Sequence, residues 1–274
     1  MINGINPETN SSGERNTSQL AAGYFIENSE TDPYYNLALE QALFDRLDRQ
    51  HSYCMLWRNS SAVIVGRHQN TAAEIDVSFV DTRSIAVVRR LSGGGAVYHD
   101  LGNINFTFFT DAAGDIDFES FFKPVRDALV SFGVPAVIAG RNDMAVDGKK
   151  ISGGAMYIKE NRVLYHGTLL YDTDFNILKK ALSSGGKFNS GGIKSVPAKV
   201  TNIRPYMKND MPIDDFFHAL RDYLVKINAM GEYKLTEDDK AAAALLYDRR
   251  YSKWEWNYGA SPPYNTRNSR RIEG

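Results

Sequence analysis

Cysteine is nearly missing from this chain: 274 residues hold one, Cys54, inside the apolar run SYCMLW. That excludes an internal disulfide framework and a cysteine-built metal cluster, and it fits a reducing cytoplasm. A lone cysteine in such a run reads as a small core residue. Surplus charge is missing too. With 32 Lys plus Arg against 33 Asp plus Glu the formal net charge is -1, so no global field points to nucleic acid or to an acidic membrane surface, and any anion site must be local. No apolar stretch approaches the roughly 18 to 20 residues that span a bilayer. The opening MINGINPETNSSGERNTSQLAAG lacks a secretory apolar core and the arginine-rich face of a transit peptide, so residues 1–23 are read as a flexible leader outside the fold. Also absent are HExxH, the Walker GxxxxGK[ST], a GxGxxG opening a helix, and any defensible Ser-His-Asp order.

What is present suits one large or two modest globular domains, with 43% hydrophobic and 24% charged residues. Asp32 and Pro33 cap a helical pattern expected over Pro33 to Arg49. The runs YCMLWR and AVIVGR, separated by NSS, read as a hairpin. IAVVRR and NINFTFF follow as strands on either side of a glycine loop. A helical stripe from Phe118 to Phe132 contains Pro124, and short strands then turn at Asp147-Gly148 and Glu160-Asn161. DFNILKKAL and PIDDFFHALRDYLVKINAM are amphipathic, the latter with Phe216, Phe217, Leu220, Leu224 and Ile227 expected inward. Hairpin links instead of regular helical crossovers predict an α+β fold with mixed, mainly antiparallel sheets flanked by helices.

Three features can carry chemistry. In RRLSGGGAVYHD the glycines Gly93, Gly94 and Gly95 make either a tight turn or a backbone cradle for an anion, with Arg89 or Arg90 supplying charge. Lys150, in GKKISGGA, is either a solvated turn residue or an inward ammonium; alternating with Ser152 on a strand, an inward lysine requires an anionic partner. His166 in LYHGTLL is a hydrogen-bonded core residue or part of a site.

Taken in order, LWRN, VIVGRHQN, SGGGAVYHDLGN, GRND, KISGGA, YHGTLL and SKWEWNYG resemble the lipoate–protein ligase A family, from about Tyr24 to Gly259. The resemblance implies a biotin/lipoate ligase-like catalytic domain over 24–259, with 260–274 a tail or the start of an accessory domain that many members carry. It implies a cytoplasmic enzyme that joins lipoate and ATP, with Mg²⁺, into lipoyl-adenylate and then acylates a lysine. The acceptors implied are apo lipoyl domains of 2-oxoacid dehydrogenase acyltransferases and the glycine cleavage H protein. A separate accessory-domain subunit is a further implied partner, while nucleic acid and membrane are not.

Carried over motif by motif, the resemblance places Arg90, Gly95, Ala96, Val97, Tyr98, Asn142, Asp143 and Lys150 at the nucleotide, Lys150 as the catalytic lysine and Asp143 as a metal ligand. It implies a lipoate pocket of Leu37, Leu39, Glu40, Trp57, Arg90, Ser92, His99, Asn105, Thr107, Lys150, His166 and Thr168, with Ser183 to Val200 as a lid. Without the resemblance Leu37, Leu39 and Trp57 read as core. Where some members have paired histidines, Tyr165-His166 stands here, so only His166 is carried. Two alternatives stay open: an octanoyl or lipoyl transferase using a cysteine thioester, for which Cys54 is the sole thiol, and a non-catalytic module that binds lipoate or lipoyl domains.

Overall fold

A computed structural model of the chain describes residues 23–112, 116–183, 188–190 and 199–266. The leader at 1–22, most of the expected lid and the end of the tail lie outside the described residues.

Thirteen strands are described: β1 (Gly23–Glu27), β2 (Ser52–Trp57), β3 (Ala62–Val65), β4 (Ala86–Arg89), β5 (Val97–His99), β6 (Asn103–Asp111), β7 (Val137–Ala139), β8 (Asp143–Val146), β9 (Lys149–Lys159), β10 (Arg162–Leu170), β11 (Phe188–Ser190), β12 (Gly231–Tyr233) and β13 (Tyr264–Thr266). The main helices are α1 (Pro33–Arg46), α2 (Thr71–Glu74), α3 (Val77–Thr82), α4 (Glu119–Ser131), α5 (Phe175–Ala181), α6 (Ile213–Ile227) and α7 (Glu237–Leu246). Eight strands form one sheet in the order β12-β1-β2-β6-β10-β9-β8-β7, a second sheet runs β4-β3-β5, and β11 pairs with β13. Only β1 with its two neighbours, and β3 with β4, pair parallel. The expected α+β class, mixed but mainly antiparallel, is the class observed.

Alternation along the central strands sorts their side chains into two cores. Cys54 and Leu56 of β2, with Ile104, Phe106 and Phe108 of β6, pack with Phe121, Phe122 and Val125 of α4 and Phe216, Leu220 and Leu224 of α6. Met55 and Trp57 face the other way, where α1 and the Ile64 and Val88 side of the small sheet cover them. The opposite side of the small sheet, including Val63, Val65 and Tyr98, packs on α3 and α5. The layers are therefore α4 and α6, large sheet, α1 with the small sheet, then α3 and α5.

The Asp32 carboxylate accepts from the Tyr34 and Tyr35 amides at 2.8 and 3.0 Å, which starts α1 as its sequence predicts. The helix ends at Arg46, three residues before the expected Arg49. The turns at Asp147-Gly148 and Glu160-Asn161 have positive φ at all four residues, as tight hairpins demand. The hairpin expected between YCMLWR and AVIVGR does not form. β2 pairs with β1 and β6, while β3 joins the other sheet. The NSS junction is pulled towards the start of α1, with buried Asn59 accepting from Asn36 at 2.9 Å and Ser60 N–H donating to the Thr31 carbonyl at 2.8 Å. In α6, Ile227 is 60% exposed and Phe217 half-buried, so the inward stripe is Phe216, Leu220 and Leu224.

Candidate functional site

A cavity of about 400 Å³ lies between the large sheet and the glycine loop. Its floor is a row of register partners crossing five strands: Trp57 opposite Asn105, Asn105 opposite Thr168, the Thr168 hydroxyl accepting from Gly153 N–H at 3.4 Å, and Gly153 opposite Asp143. Four strand spacings make this trough about 19 Å from end to end. Leu37, Trp57 and Ile64 give one end apolar walls; Lys150 and Asp143 close the other.

Lys150 Nζ sits 2.7 Å from Asp143 Oδ1, with a third of its side chain exposed. A register shift between Met144 and Ala145 breaks the alternation, so Lys150 shares the cavity with Gly153 and not with Ser152. Gly153 leaves it room, since a Cβ there would stand 2.7 Å from Nζ. The backbone of Lys150 is pinned on both sides: its N–H donates to the Lys199 carbonyl at 2.8 Å and its carbonyl accepts from Thr201 at 3.0 Å. The end of the expected lid segment thus holds the strand that presents the lysine.

The two neighbouring arginines do different work. Arg89, fully buried, donates from its side chain to the carbonyls of Gly66, Arg67, Gln69, Trp256 and Asn257 and to the hydroxyls of Thr71 and Ser261. It ties the SKWEWNYG segment and Ser261 to the fold, which leaves Arg90 as the cavity arginine. Burial lowers both arginines to about 10, still charged at neutral pH. Arg90 donates Nε to Ser92 (3.0 Å), Nη1 to the Ile64 carbonyl (3.0 Å) and Nη2 to the Gly93 and Gly95 carbonyls (2.6 and 2.8 Å). Three of its five N–H groups therefore shape the loop, a fourth anchors it to β3, and one on Nη1 remains for a ligand. With the loop carbonyls turned to Arg90, the amides of Gly94 and Gly95 have no hydrogen-bond acceptor among the described residues. They line the cavity. Such amides beside a guanidinium form an anion cradle.

Beneath the trough a buried network fixes the side chains. Trp57 Nε1 donates to the Thr107 hydroxyl (2.9 Å), and Thr107 donates to Glu40 (2.7 Å). His166 Nδ1 meets both Glu40 oxygens (2.9 and 3.0 Å), and its Nε2 meets the Ser92 hydroxyl (2.6 Å). The Glu40 carboxylate, brought in by α1, is thus satisfied although it is only 2% exposed.

Of the residues singled out from the sequence, Leu37, Trp57, Arg90, Gly95, Ala96, Val97, His99, Asn105, Asp143, Lys150, His166 and Thr168 line the cavity. Glu40, Ser92 and Thr107 stand behind it and orient His166 and Trp57. Leu39 points into the core around α1. Tyr98 turns its ring to the far side of the small sheet and reaches Ser61 at 3.2 Å, so only its backbone faces the loop. Asn142 is outside the cavity lining, but its side-chain oxygen is shielded and unpartnered beside Asp143. Sequence patterning missed Asn36 and Asn59, whose amides are visible only as a helix residue and a turn residue.

Cys54 is fully buried among the phenylalanines on the other face of the sheet, and burial pushes its thiol far above the ordinary range. It has no path to the glycine loop. Among the described residues no three His, Cys, Asp or Glu side chains gather as a metal site, and no helix is long and apolar enough to cross a membrane.

An apolar slot that ends at a lysine and an anion cradle is the site of a protein that activates a carboxylic acid. Residues 32–225 match the lipoyl protein ligase A/B catalytic domain, and the chain belongs to that family. The lipoate-protein ligase LplJ of Bacillus subtilis is 42% identical over 90% of this chain and 77% of its own length. A structure described as a bi-partite lipoate protein ligase and its E2 lipoyl domain, from Thermoplasma acidophilum, aligns with TM-score 0.73 at 26% identity, over 89% of this chain and 98% of the other. Lipoate-protein ligase A bound with ATP aligns with TM-score 0.72 at 25% identity, over 87% of this chain and 99% of the other.

Proposed function

We propose that the chain is an ATP-dependent lipoate–protein ligase. A lipoate carboxylate oxygen attacks the α-phosphorus of ATP, the bond to pyrophosphate breaks, and lipoyl-AMP forms. An acceptor lysine amine then attacks the acyl carbon, AMP leaves with the anhydride oxygen, and the amine proton is lost. The observation that carries this reading is Lys150, 2.7 Å from Asp143, lining the same cavity as Gly94 and Gly95. Attack brings two anions together, so a fixed ammonium and unoccupied backbone donors are what the transition state requires.

Each remaining group has a stated task. Arg90 keeps the cradle in shape and offers its remaining N–H to the carboxylate or phosphate. His166 and Trp57, held by Glu40 and Thr107, keep the acyl slot rigid. Asp143 would hold Mg²⁺: the described residues offer no all-protein cage for it, but a single carboxylate beside the shielded, unpartnered Asn142 oxygen fits an ion carried mainly by phosphate and water oxygens. Bound there, the ion would neutralise phosphate charge. The acceptors are lipoyl domains of 2-oxoacid dehydrogenase acyltransferases and the H protein, the enzyme works in the cytoplasm, and an accessory domain or subunit assists it; the bi-partite neighbour supports the last point. The thioester transferase alternative has no support, because the sole thiol is buried on the other face.

The test is to incubate the purified chain with lipoate and Mg-ATP, with and without an apo lipoyl domain, following pyrophosphate and lipoyl-lysine. Pyrophosphate released only with lipoate, and lost in Lys150→Ala, is expected. Lipoate binding without turnover, even when an accessory subunit is added, would leave the non-catalytic binding module as the better reading.

A further inference from the structure

Buried asparagines outside the cavity decide what its far end presents. Asn36 Nδ2 donates to the backbone carbonyls of Glu30 (2.9 Å) and Arg58 (3.0 Å). Carbonyls only accept, which fixes that atom as nitrogen. It also lies 2.9 Å from the Asn59 amide; its two hydrogens are shared among three neighbours, and an NH₂ turned towards this NH₂ would repel it, so the facing atom of Asn59 is the oxygen. The other end of Asn59 is then an NH₂, 3.1 Å from His99 Nδ1. A neutral imidazole that accepts at Nδ1 carries its proton on Nε2.

His99 is neutral at any working pH, because burial, then Arg90 and His166, lower its pKa to about 3. Its Nε2 is buried with no partner, and the ring lines the cavity beside Trp57, ring centroids 6.3 Å apart. This end is opposite Lys150. An acid whose carboxylate lies at Lys150 therefore points its tail at His99. A buried donor without an acceptor is costly enough that native structures keep few.

We propose that His99 Nε2–H, held in that tautomer by Asn36 and Asn59, reads the tail of the acyl substrate and favours one ending in a sulfur or other acceptor over a plain alkyl chain. A dithiolane sulfur, though a weak acceptor, gives the donor a partner that it lacks in the free protein; a terminal methyl of octanoate leaves it unpaired as before. This deepens the ligase reading and rests on it. Asn59 acts as a positioning residue, since it meets Asn36 and the imidazole and does not line the cavity.

Pyrophosphate release is measured with lipoate and with octanoate, both with Mg-ATP. For the unaltered chain kcat/KM is expected to favour lipoate about fivefold, the net worth of one hydrogen bond gained. His99→Phe brings the ratio to about one or two, and Asn59→Ala lowers it partway. Nitrogen-15 NMR of the histidines is expected to show His99 protonated at Nε2, with that resonance shifting on addition of lipoate and much less with octanoate. Equal use of both acids by the unaltered chain, an equal loss for both in His99→Phe, or an Nδ1–H tautomer would overturn the proposal. If His99→Phe does not fold, the Asn59→Ala ratio and the NMR shift decide. If neither acid turns over even with an accessory subunit added, the ligase reading fails, and the tautomer and the lipoate-induced shift still decide this one.

Discussion

The two faces of the large sheet are built from alternate residues of the same strands, yet they have different chemistry. In β6 every residue from Asn103 to Thr110 is buried. Ile104, Phe106 and Phe108 meet α4 and α6 in a core of aromatic rings, with Phe121 and Tyr165 stacked at 4.7 Å. Asn105 and Thr107, one position along, face the trough and are buried against Trp57, Glu40 and the cavity. Burial alone does not separate packing from function here. What separates them is not unpartnered atoms as such, since the Tyr165 hydroxyl on the packed face is one too; the packed face is filled with hydrocarbon, whereas the other opens on a cavity lined by Asn105 and, from the facing small sheet, by His99, with Asn105 Nδ2 and His99 Nε2 unpartnered.

That difference can be broken from either side. The largest effect is expected on the trough face. Lys150→Ala should lower the rate of pyrophosphate release by about 10³ to 10⁴, or roughly 4 to 5.5 kcal/mol of transition-state stabilisation. Its ion pair with Asp143 is partly exposed, so the unfolding free energy from urea titration should change by less than about 0.5 kcal/mol. On the packed face the pattern inverts. Phe106→Ala should cost about 3 to 5 kcal/mol of stability by urea denaturation, while turnover per folded molecule stays within roughly threefold. A Lys150→Ala protein that melts early with normal rates, or a Phe106→Ala protein that is stable and inactive, would erase the distinction between the faces.

A smaller effect sharpens it through pH. The ordinary histidine pKa is about 6.5, and in the folded chain burial holds His99 at about 3. Between those values the unfolded chain takes up a proton that the folded chain refuses. The stability held by neutral His99 is therefore complete above pH 6.5 and is lost as the pH falls towards 3. Between pH 6.5 and 4.5 the loss is about 2 kcal/mol. Urea titrations at the two pH values, compared between the unaltered chain and His99→Phe, isolate it, and the same decline in both would assign the acid sensitivity to other groups.

How much of this was visible in the sequence depended on the range of the interaction. Local signals transferred well: the Asp32-Pro33 start of α1, the turns at Asp147 and Glu160, the strand patterns and the α+β class. The NSS junction misled because its outcome is set by Asn36, some twenty residues earlier in the chain, and not by turn chemistry. The ordered motifs located the cavity walls, but which of Arg89 and Arg90 faces a ligand was settled only by tertiary contacts, in which Trp256, Asn257 and Ser261 claim Arg89. Likewise strand periodicity paired Lys150 with Ser152, and a bulge, which leaves no mark in a two-residue repeat, paired it with Gly153.

The smallest contrast lies within the glycine triplet itself. Gly94 has φ +93°, and a Cβ on it would stand 2.9 Å from Arg90 Nη2. Its carbonyl also packs against Gly66, where an added Cβ would come within 2.0 Å of it. Gly93, next to it, has nothing within 4 Å of the corresponding position. Gly94→Ala therefore meets backbone strain of about 1 to 2 kcal/mol and must push Arg90 off the carbonyls it holds. The cradle then loosens, and the KM for ATP should rise several-fold with little change in fold. Gly93→Ala should stay within about 0.5 kcal/mol in stability and show an unchanged KM. If the two variants behave alike, the glycines serve only as a turn, and the Arg90-braced loop is not what holds the phosphates.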